Sequence, residues 1–174
     1  GIDKTINDIR NELIDIYKPF LEKYSDKIAD YWNQYGMVEL SQILSKKKAS
    51  FEDVIMSDQY GMTILDMWFL SEKYDLPILL FSATKFYENN STLMILNKNV
   101  RNTFYLVQPS MKYNKNTRVK LIESNTKKIR IEKQDVLPGF ITLLDENTYI
   151  SVETYLKNFK KPVRIRKKPT LVIA

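Results

Sequence analysis

The chain has 174 residues, of which 44% are hydrophobic and 28% charged, values that suit one full-sized domain with a closed core. It contains no cysteine and no histidine. Disulfides, thiolate or imidazole metal sites and Ser-His or Cys-His catalysis are therefore excluded for these residues. The formal net charge of +6 favours polyanions or acidic protein surfaces as partners.

Targeting and cofactor signals are missing from the sequence. No apolar run reaches the roughly 20 residues of a membrane helix, and Gly1 to Lys4 show no secretory signal, so we expect a soluble, intracellular protein without membrane contact. Gly1 in place of Met is what we expect of either an excised fragment or a scar left by tag cleavage. No glycine-rich phosphate-binding motif occurs, and we expect no cofactor and no bound metal. The bias towards Lys, Asn, Ile and Tyr is typical of A/T-rich coding sequence, as in some protists and large DNA viruses, and a viral origin would place the protein in host cytoplasm or virion.

Helical periodicity dominates the N-terminal half. Apolar residues recur every three or four positions over residues 2–17, which predicts an amphipathic helix that Pro19 ends or restarts. Further helices are predicted over residues 20–35, with Gly36 as a stop, and over residues 38–46. The lysines at 46–48 are interpreted as a solvated helix end.

A buried helix and strand are predicted in the middle of the chain. Thr63 and Asp66 have the spacing of a capping box, so a helix should run from Ile64 to Tyr74. Its apolar residues surround most of the circumference, which predicts a largely buried central helix. The apolar run Leu76–Phe81 predicts a central strand covered on both faces, with Pro77 at its entrance.

The C-terminal half is predicted to contain short antiparallel strands and a last helix. The strands are expected at residues 93–96, 103–107, 118–122 and 128–132, with residues 124–127 as a hairpin connection between the last two. These two strands have an aliphatic and a cationic face. Phe140–Leu144 is a possible further strand, and a short helix is expected over residues 151–159. The fold class is thus α/β (α+β), with a domain over residues 1–150 and a short helix plus basic tail over 151–174.

Two sets of side chains are candidate sites. Carboxylates could act as acid and base or hold magnesium, although helix capping also explains them: Asp53, Asp58, Asp66 and Glu72. Basic residues could form one positive surface for phosphates or an acidic protein: Lys127, Lys128, Arg130, Arg164, Arg166, Lys167 and Lys168. The alternative for the basic set is a solubilising face plus a mobile tail. Only four aromatic residues lie near these cations, so stacking of single-stranded nucleic acid is weakly supported: Phe140, Tyr149, Tyr155 and Phe159.

The segment from Ile55 to Leu70, followed by Tyr74 to Ser82, resembles the OTU-like cysteine protease fold, in the divergent form found in large DNA viruses. The resemblance implies a papain-like α/β core in which a helix bearing an Asp and a Trp precedes an Ile-Pro-Ile-type strand. It extends loosely to residues 9–13 and 103–122. OTU proteases cleave ubiquitin isopeptide bonds with a Cys and a His, and neither is present here, so no catalytic residue carries over.

Two functional hypotheses follow from these residues. The first is an inactive OTU-like domain that serves as a protein-interaction or assembly module, with a ubiquitin-like protein or a viral assembly factor as partner. The second is a nucleic-acid-associated accessory domain that acts through the basic residues. The sequence leaves open the oligomeric state and whether a Cys precedes Gly1 in a longer protein.

Overall fold

The computed structural model describes residues 5–111, 120–122 and 127–160, and within these it is a mixed α/β structure with a helical N-terminal half. The predicted fold class is confirmed at this level. The elements are α1 (Ile6–Gln34), α2 (Val38–Ser45), α3 (Phe51–Met56), α4 (Ile64–Lys73), β1 (Ile78–Phe81), β2 (Leu93–Ile95), β3 (Thr103–Gln108), β4 (Lys120–Leu121), β5 (Arg130–Glu132), a 3-10 turn (Lys133–Asp135), α5 (Pro138–Asp145) and α6 (Val152–Asn158).

Helix α1 passes through Pro19, so the break predicted at that residue is wrong. The backbone leaves helical geometry instead at Tyr24, where φ is −130° and ψ is 23°. A proline inside a helix costs about 3 kcal/mol because one hydrogen bond is lost and the ring crowds the preceding turn. Tyr17 before it, and Ile28 and Trp32 after it, are fully buried in one core, and packing of both halves offsets that cost.

Helices α2, α4 and α6 form as predicted, whereas the short helix α3 was not predicted from the sequence. Helix α2 ends at Ser45, and the three lysines that follow are exposed. Helix α4 begins at the predicted capping box, in which Thr63 Oγ1 accepts from the Asp66 amide and Asp66 accepts from the Thr63 amide. Seven of its ten residues are buried, which confirms the predicted buried helix. Helix α6 begins after Ser151, whose hydroxyl accepts from the Thr154 amide.

Strand β1 lies at the centre of the sheet, as predicted, in the order β2-β1-β3-β4 with β5 also on β3. Its successive residues Leu79 and Leu80 are both fully buried and belong to different hydrophobic clusters. Because neighbouring side chains of a strand point to opposite faces, the sheet is covered on both sides. Pro77 precedes the strand and its carbonyl accepts from the Tyr105 amide.

Strand pairing agrees only partly with the predictions. Strand β2 pairs antiparallel with β1, and β4 and β5 pair antiparallel with β3, as expected, but β3 itself is parallel to β1. Strands β4 and β5 do not pair with each other, so the pairing expected of a hairpin is wrong, and residues 124–126 of its connection lie outside the described residues. Both strands pair antiparallel with the same edge of β3, β4 opposite Val107 and β5 opposite Phe104, since this pairing buries Ile131 beside Phe104.

The faces of these two strands agree only partly with the expected aliphatic and cationic pattern. In β5, Arg130 is exposed and Ile131 is buried, as expected. In β4, Leu121 is 43% exposed, because this two-residue strand has no layer over that face. Arg118 and Val119 lie outside the described residues.

Phe140–Leu144 was predicted as a strand and is instead part of helix α5. Pro138 occupies the first turn, where its missing amide hydrogen costs nothing, so the Pro-Gly pair begins a helix rather than a turn. Phe140, Leu143 and Leu144 have helical spacing and pack on the second hydrophobic cluster. The ring of Phe140 stacks on that of Phe104, with centroids 5.9 Å apart.

The hydrophobic residues form two clusters, one on each face of the sheet. The larger contains residues of α1 to α4 and α6 with Leu80 and Val107 of the sheet, and the smaller joins Leu79 and Phe104 to α5. Val152 and Leu156 of α6 are fully buried in the larger cluster. Among the residues with described structure, no helix has the length and apolar character to cross a bilayer.

A buried carboxylate joins helices α1 and α4 in the larger cluster. Asp66 is 0% exposed, and burial raises the pKa of its carboxyl while hydrogen bonds from Tyr17 and Tyr60 oppose the rise. Tyr17 Oη donates to Asp66 Oδ1 at 2.5 Å, and Tyr60 Oη donates to Asp66 Oδ2 at 2.6 Å. The Thr63 amide also donates to Oδ2, at 2.9 Å, so both carboxylate oxygens have donors.

Replacing Asp66 with alanine should lower the free energy of unfolding by about 4 kcal/mol, because two buried hydroxyls and a helix start lose their partner. Asp53→Ala is the matched control, since Asp53 holds the same capping-box position on α3 but is exposed. The Asp53→Ala replacement should lower the free energy of unfolding by about 1 kcal/mol or less. Urea unfolding measures both, and equal losses would contradict the role given to Asp66.

Candidate functional site

The predicted basic surface is only partly within the described structure. Lys127, Lys128 and Arg130 are exposed at the start of β5. The guanidinium of Arg130 lies over the ring of Tyr105 at 5.8 Å, and its Nε donates to Thr103 Oγ1 at 3.0 Å. The four other predicted residues lie outside the described residues: Arg164, Arg166, Lys167 and Lys168. A single surface formed by all seven cations stays a prediction.

The four aromatic residues considered as stacking partners for these cations have other neighbours. Phe140 packs on Phe104, and Tyr149 Oη donates to Glu72 Oε1 at 2.5 Å. The rings of Tyr155 and Phe159 lie 5.8 Å apart at a cleft beside α6. The ring of Tyr105, which was not considered for this role from the sequence, contacts one of the predicted cations, Arg130.

The candidate carboxylates do not converge. Asp53 and Asp58 are exposed, and Asp66 is held by two tyrosines in the core. Glu72 Oε1 accepts from Tyr149 and from the Val152 amide, which attaches α6 to α4. In residues 5–111, 120–122 and 127–160, no three Asp or Glu side chains come together in a group that could hold a metal ion. Their positions are those of structural side chains.

The structure contains a cleft that sequence analysis did not predict, between the end of α1, the loop after β1 and helix α6. Its volume is about 310 Å³. We call it the Glu88 cleft, and the residues that line it are Gln34, Tyr87, Glu88, Ile150, Thr154, Tyr155, Asn158, Phe159 and Lys160. This volume is at the small end of ligand pockets, so the cleft has room for one side chain or a small ligand.

The loop that presents Glu88 is fixed by its own hydrogen bonds. The Phe86 amide donates to the Ser91 carbonyl at 2.7 Å, and the Asn90 amide donates to the Phe86 carbonyl at 2.9 Å. Asn89 Nδ2 donates to the Leu93 carbonyl at 2.6 Å, which attaches the loop to β2. Phe86 is buried in the larger cluster. Glu88 therefore projects from a short, internally bonded loop.

Helix α6 supplies the opposite wall of the cleft. Val152 and Leu156 bury one side of the helix, and Lys27 Nζ donates to the Lys157 carbonyl at 2.6 Å. The ring of Tyr155 then lies between other aromatic rings, 5.2 Å from Trp68 and 6.1 Å from Tyr31. This packing fixes Tyr155 as a wall of the cleft.

Glu88 is only half satisfied by its neighbours. Tyr31 Oη donates to Glu88 Oε1 at 2.7 Å, and Tyr35 Oη donates to the same oxygen. The other oxygen, Oε2, is buried and has no partner in the described structure. Burial raises the pKa of the Glu88 carboxyl above its usual range, while the bonds from Tyr35 and Tyr31 oppose the rise.

The two tyrosine-bound carboxylates differ in one respect that bears on function. Both oxygens of Asp66 have donors, whereas Glu88 Oε2 has none and Glu88 lines a cleft. An unsatisfied buried acceptor costs about 1–3 kcal/mol, a cost that a hydrogen-bond donor at Glu88 Oε2 would remove. The spacing of Tyr31 and Tyr35, four residues apart on one helix face, is a signal that sequence analysis passed over.

Comparisons of the chain with protein-family models, with curated proteins and with solved structures each returned no match. The resemblance of residues 55–82 to OTU-like proteases therefore stays a prediction.

Proposed function

We propose that this chain is a catalytically inactive, OTU-like protein-interaction module that engages its partner through the Glu88 cleft. The observation that carries the proposal is the buried carboxylate oxygen Oε2 of Glu88, which has no hydrogen-bond partner within the described residues, on a side chain that lines a cleft together with three aromatic residues. Most buried polar atoms in proteins have a hydrogen-bond partner, so an unpaired carboxylate oxygen beside a cleft calls for an explanation, and a ligand that donates hydrogen bonds supplies one.

The chemistry of the side chains supports recognition rather than catalysis. The 174 residues include no thiol or imidazole, the groups that OTU-type cleavage requires. The hydroxyls of Tyr31 and Tyr35 donate to the Glu88 carboxylate. Burial raises the pKa of both tyrosine hydroxyls, so they stay protonated and act as donors rather than bases.

The size and position of the cleft support a protein segment as the ligand. Its volume of about 310 Å³ accepts one inserted side chain, which is how hot-spot residues anchor at interfaces. The outer wall, Tyr87, is 61% exposed, and Thr154 and Asn158 are exposed beside it, so a main chain can lie across the opening.

The second hypothesis, nucleic-acid binding through the basic residues, has less support in the described structure. Arg130 is already engaged by Tyr105 and Thr103, and only three of the seven predicted cations are described. These three cations lie at one end of β5. The ring that contacts Arg130 is that of Tyr105, which is half-buried and so is not an exposed platform for stacking a base. We therefore favour the Glu88 cleft as the binding site.

The purified chain should not hydrolyse ubiquitin chains or a ubiquitin reporter with a fluorogenic C-terminal amide. Without a Cys or His nucleophile pair, release of the fluorophore should equal the rate without protein. An active OTU protease run in parallel shows that the reporter is competent. Turnover that follows the purified chain through successive columns would contradict the assignment as a pseudoenzyme.

Peptides selected from a random library for binding to the chain should lose at least roughly tenfold in affinity when Asn158 is replaced by Trp. The indole would fill the mouth of the Glu88 cleft, which Asn158 lines. Lys157→Trp is the matched control, because Lys157 is exposed on the same helix turn and does not line the cleft. Calorimetric titration gives both affinities. Equal affinities for both variants would place binding elsewhere and contradict the proposal.

A further inference from the structure

We propose that the group recognised in the Glu88 cleft is a primary ammonium or guanidinium group, the side-chain terminus of a lysine or arginine in a protein partner. This inference rests on the proposed function and adds the chemistry of the ligand. It follows from two features of the cleft, its aromatic walls and its unpaired acceptors, and the charges near the cleft permit such a ligand.

The walls of the cleft attract cations. Three aromatic rings line it, those of Tyr87, Tyr155 and Phe159. The face of an aromatic ring carries negative electrostatic potential, so a cation within about 6 Å of the ring is stabilised, more strongly when it is desolvated. The rings also cover the methylene stem of a long basic side chain. Lysine and arginine match both properties.

The unpaired acceptors select a cation that carries N–H groups. Glu88 Oε2 and Gln34 Oε1 are both buried without a hydrogen-bond partner, and both residues line the cleft. A lysine ammonium has three donors and an arginine guanidinium has five, so either carries enough donors for both acceptors. A quaternary ammonium has no donor and would leave them unpaired, although it suits aromatic walls equally well. The cleft therefore favours unmethylated cations.

Access to Oε2 requires a small movement at the opening. This oxygen is covered in the unliganded structure, so a donor reaches it when a rim side chain rotates. Tyr87 is the wall with most freedom, because it is 61% exposed and touches Tyr35 only edge-on, with centroids 5.4 Å apart. We expect Tyr87 to close over the bound cation.

The charges near the cleft permit a cationic ligand. Glu88 and Lys160 are the charged residues among its lining. Lys160 is exposed and forms no ion pair with Glu88 in the described structure, so it stays hydrated at the rim and leaves the carboxylate available. The net charge of +6 opposes approach of a cation, but salt screens it beyond roughly 8 Å at physiological ionic strength.

The test uses four blocked pentapeptides, Gly-Gly-X-Gly-Gly, in which X is lysine, arginine, trimethyl-lysine or norleucine. Each is titrated into the full ¹⁵N-labelled chain, and the amide shifts of Tyr87, Glu88 and Thr154 are followed by NMR. The lysine and arginine peptides should shift these amides with saturable curves. Trimethyl-lysine should bind roughly tenfold more weakly, and norleucine at least as weakly, because neither offers a donor to the buried acceptors.

Glu88→Gln should weaken the lysine peptide roughly tenfold while keeping an acceptor for Tyr31 and Tyr35. Glu153→Gln is the matched control, an exposed carboxylate at the start of α6 outside the cleft, and should leave the affinity unchanged. Equal binding of norleucine or trimethyl-lysine in the unaltered chain, or an unaffected Glu88→Gln variant, would overturn the inference about cations. If the inference about cations failed but library peptides still bound at the Glu88 cleft, the proposed function would stand. If the library peptides bound elsewhere, the proposed function and the inference about cations would both fail.

Discussion

A carboxylate that is buried away from water needs hydrogen-bond donors, and among the described residues pairs of tyrosines donate to two such carboxylates, Asp66 and Glu88. Tyr17 and Tyr60 hold Asp66 in the core, where both oxygens are satisfied and the carboxylate joins α1 to α4. Tyr31 and Tyr35 hold Glu88 by one oxygen only. Because the tyrosines and the Thr63 amide satisfy both oxygens of Asp66 in the core but the tyrosines satisfy only one oxygen of Glu88 beside a cleft, Asp66 is structural, and we propose that Glu88 serves recognition.

Much of the fold was predictable because it is encoded locally. The capping box of Thr63 and Asp66 and the apolar run before Phe81 led directly to α4 and to the central strand β1. The predictions that were wrong concern features that depend on contacts between residues distant in sequence. Pro19 is tolerated because both halves of α1 pack in one core, and β4 and β5 pair with β3 rather than with each other because Ile131 packs on Phe104. Residue patterns within a short window contain no information on either.

The candidate site was much less predictable than the fold. Its parts come from α1, the loop after β1 and α6, so Tyr31, Glu88 and Tyr155 are adjacent only after folding. The sites predicted from the sequence were clustered cations and carboxylates at helix starts, since these are visible as local runs. Tyr155 and Phe159 were considered as possible stacking partners for basic residues, whereas in the structure they line a cleft together with Glu88.

The most direct test of this account is the pKa of the Glu88 carboxyl, measured from its ¹³C chemical shift as pH is varied, with and without saturating lysine peptide. Alone, the pKa should lie above the usual range for glutamate, because burial penalises the charged form more than the bonds from Tyr31 and Tyr35 favour it. Bound ammonium favours the carboxylate, so the peptide should lower that pKa. An ordinary pKa in the free chain, or a raised pKa that the peptide leaves unchanged, would contradict the account.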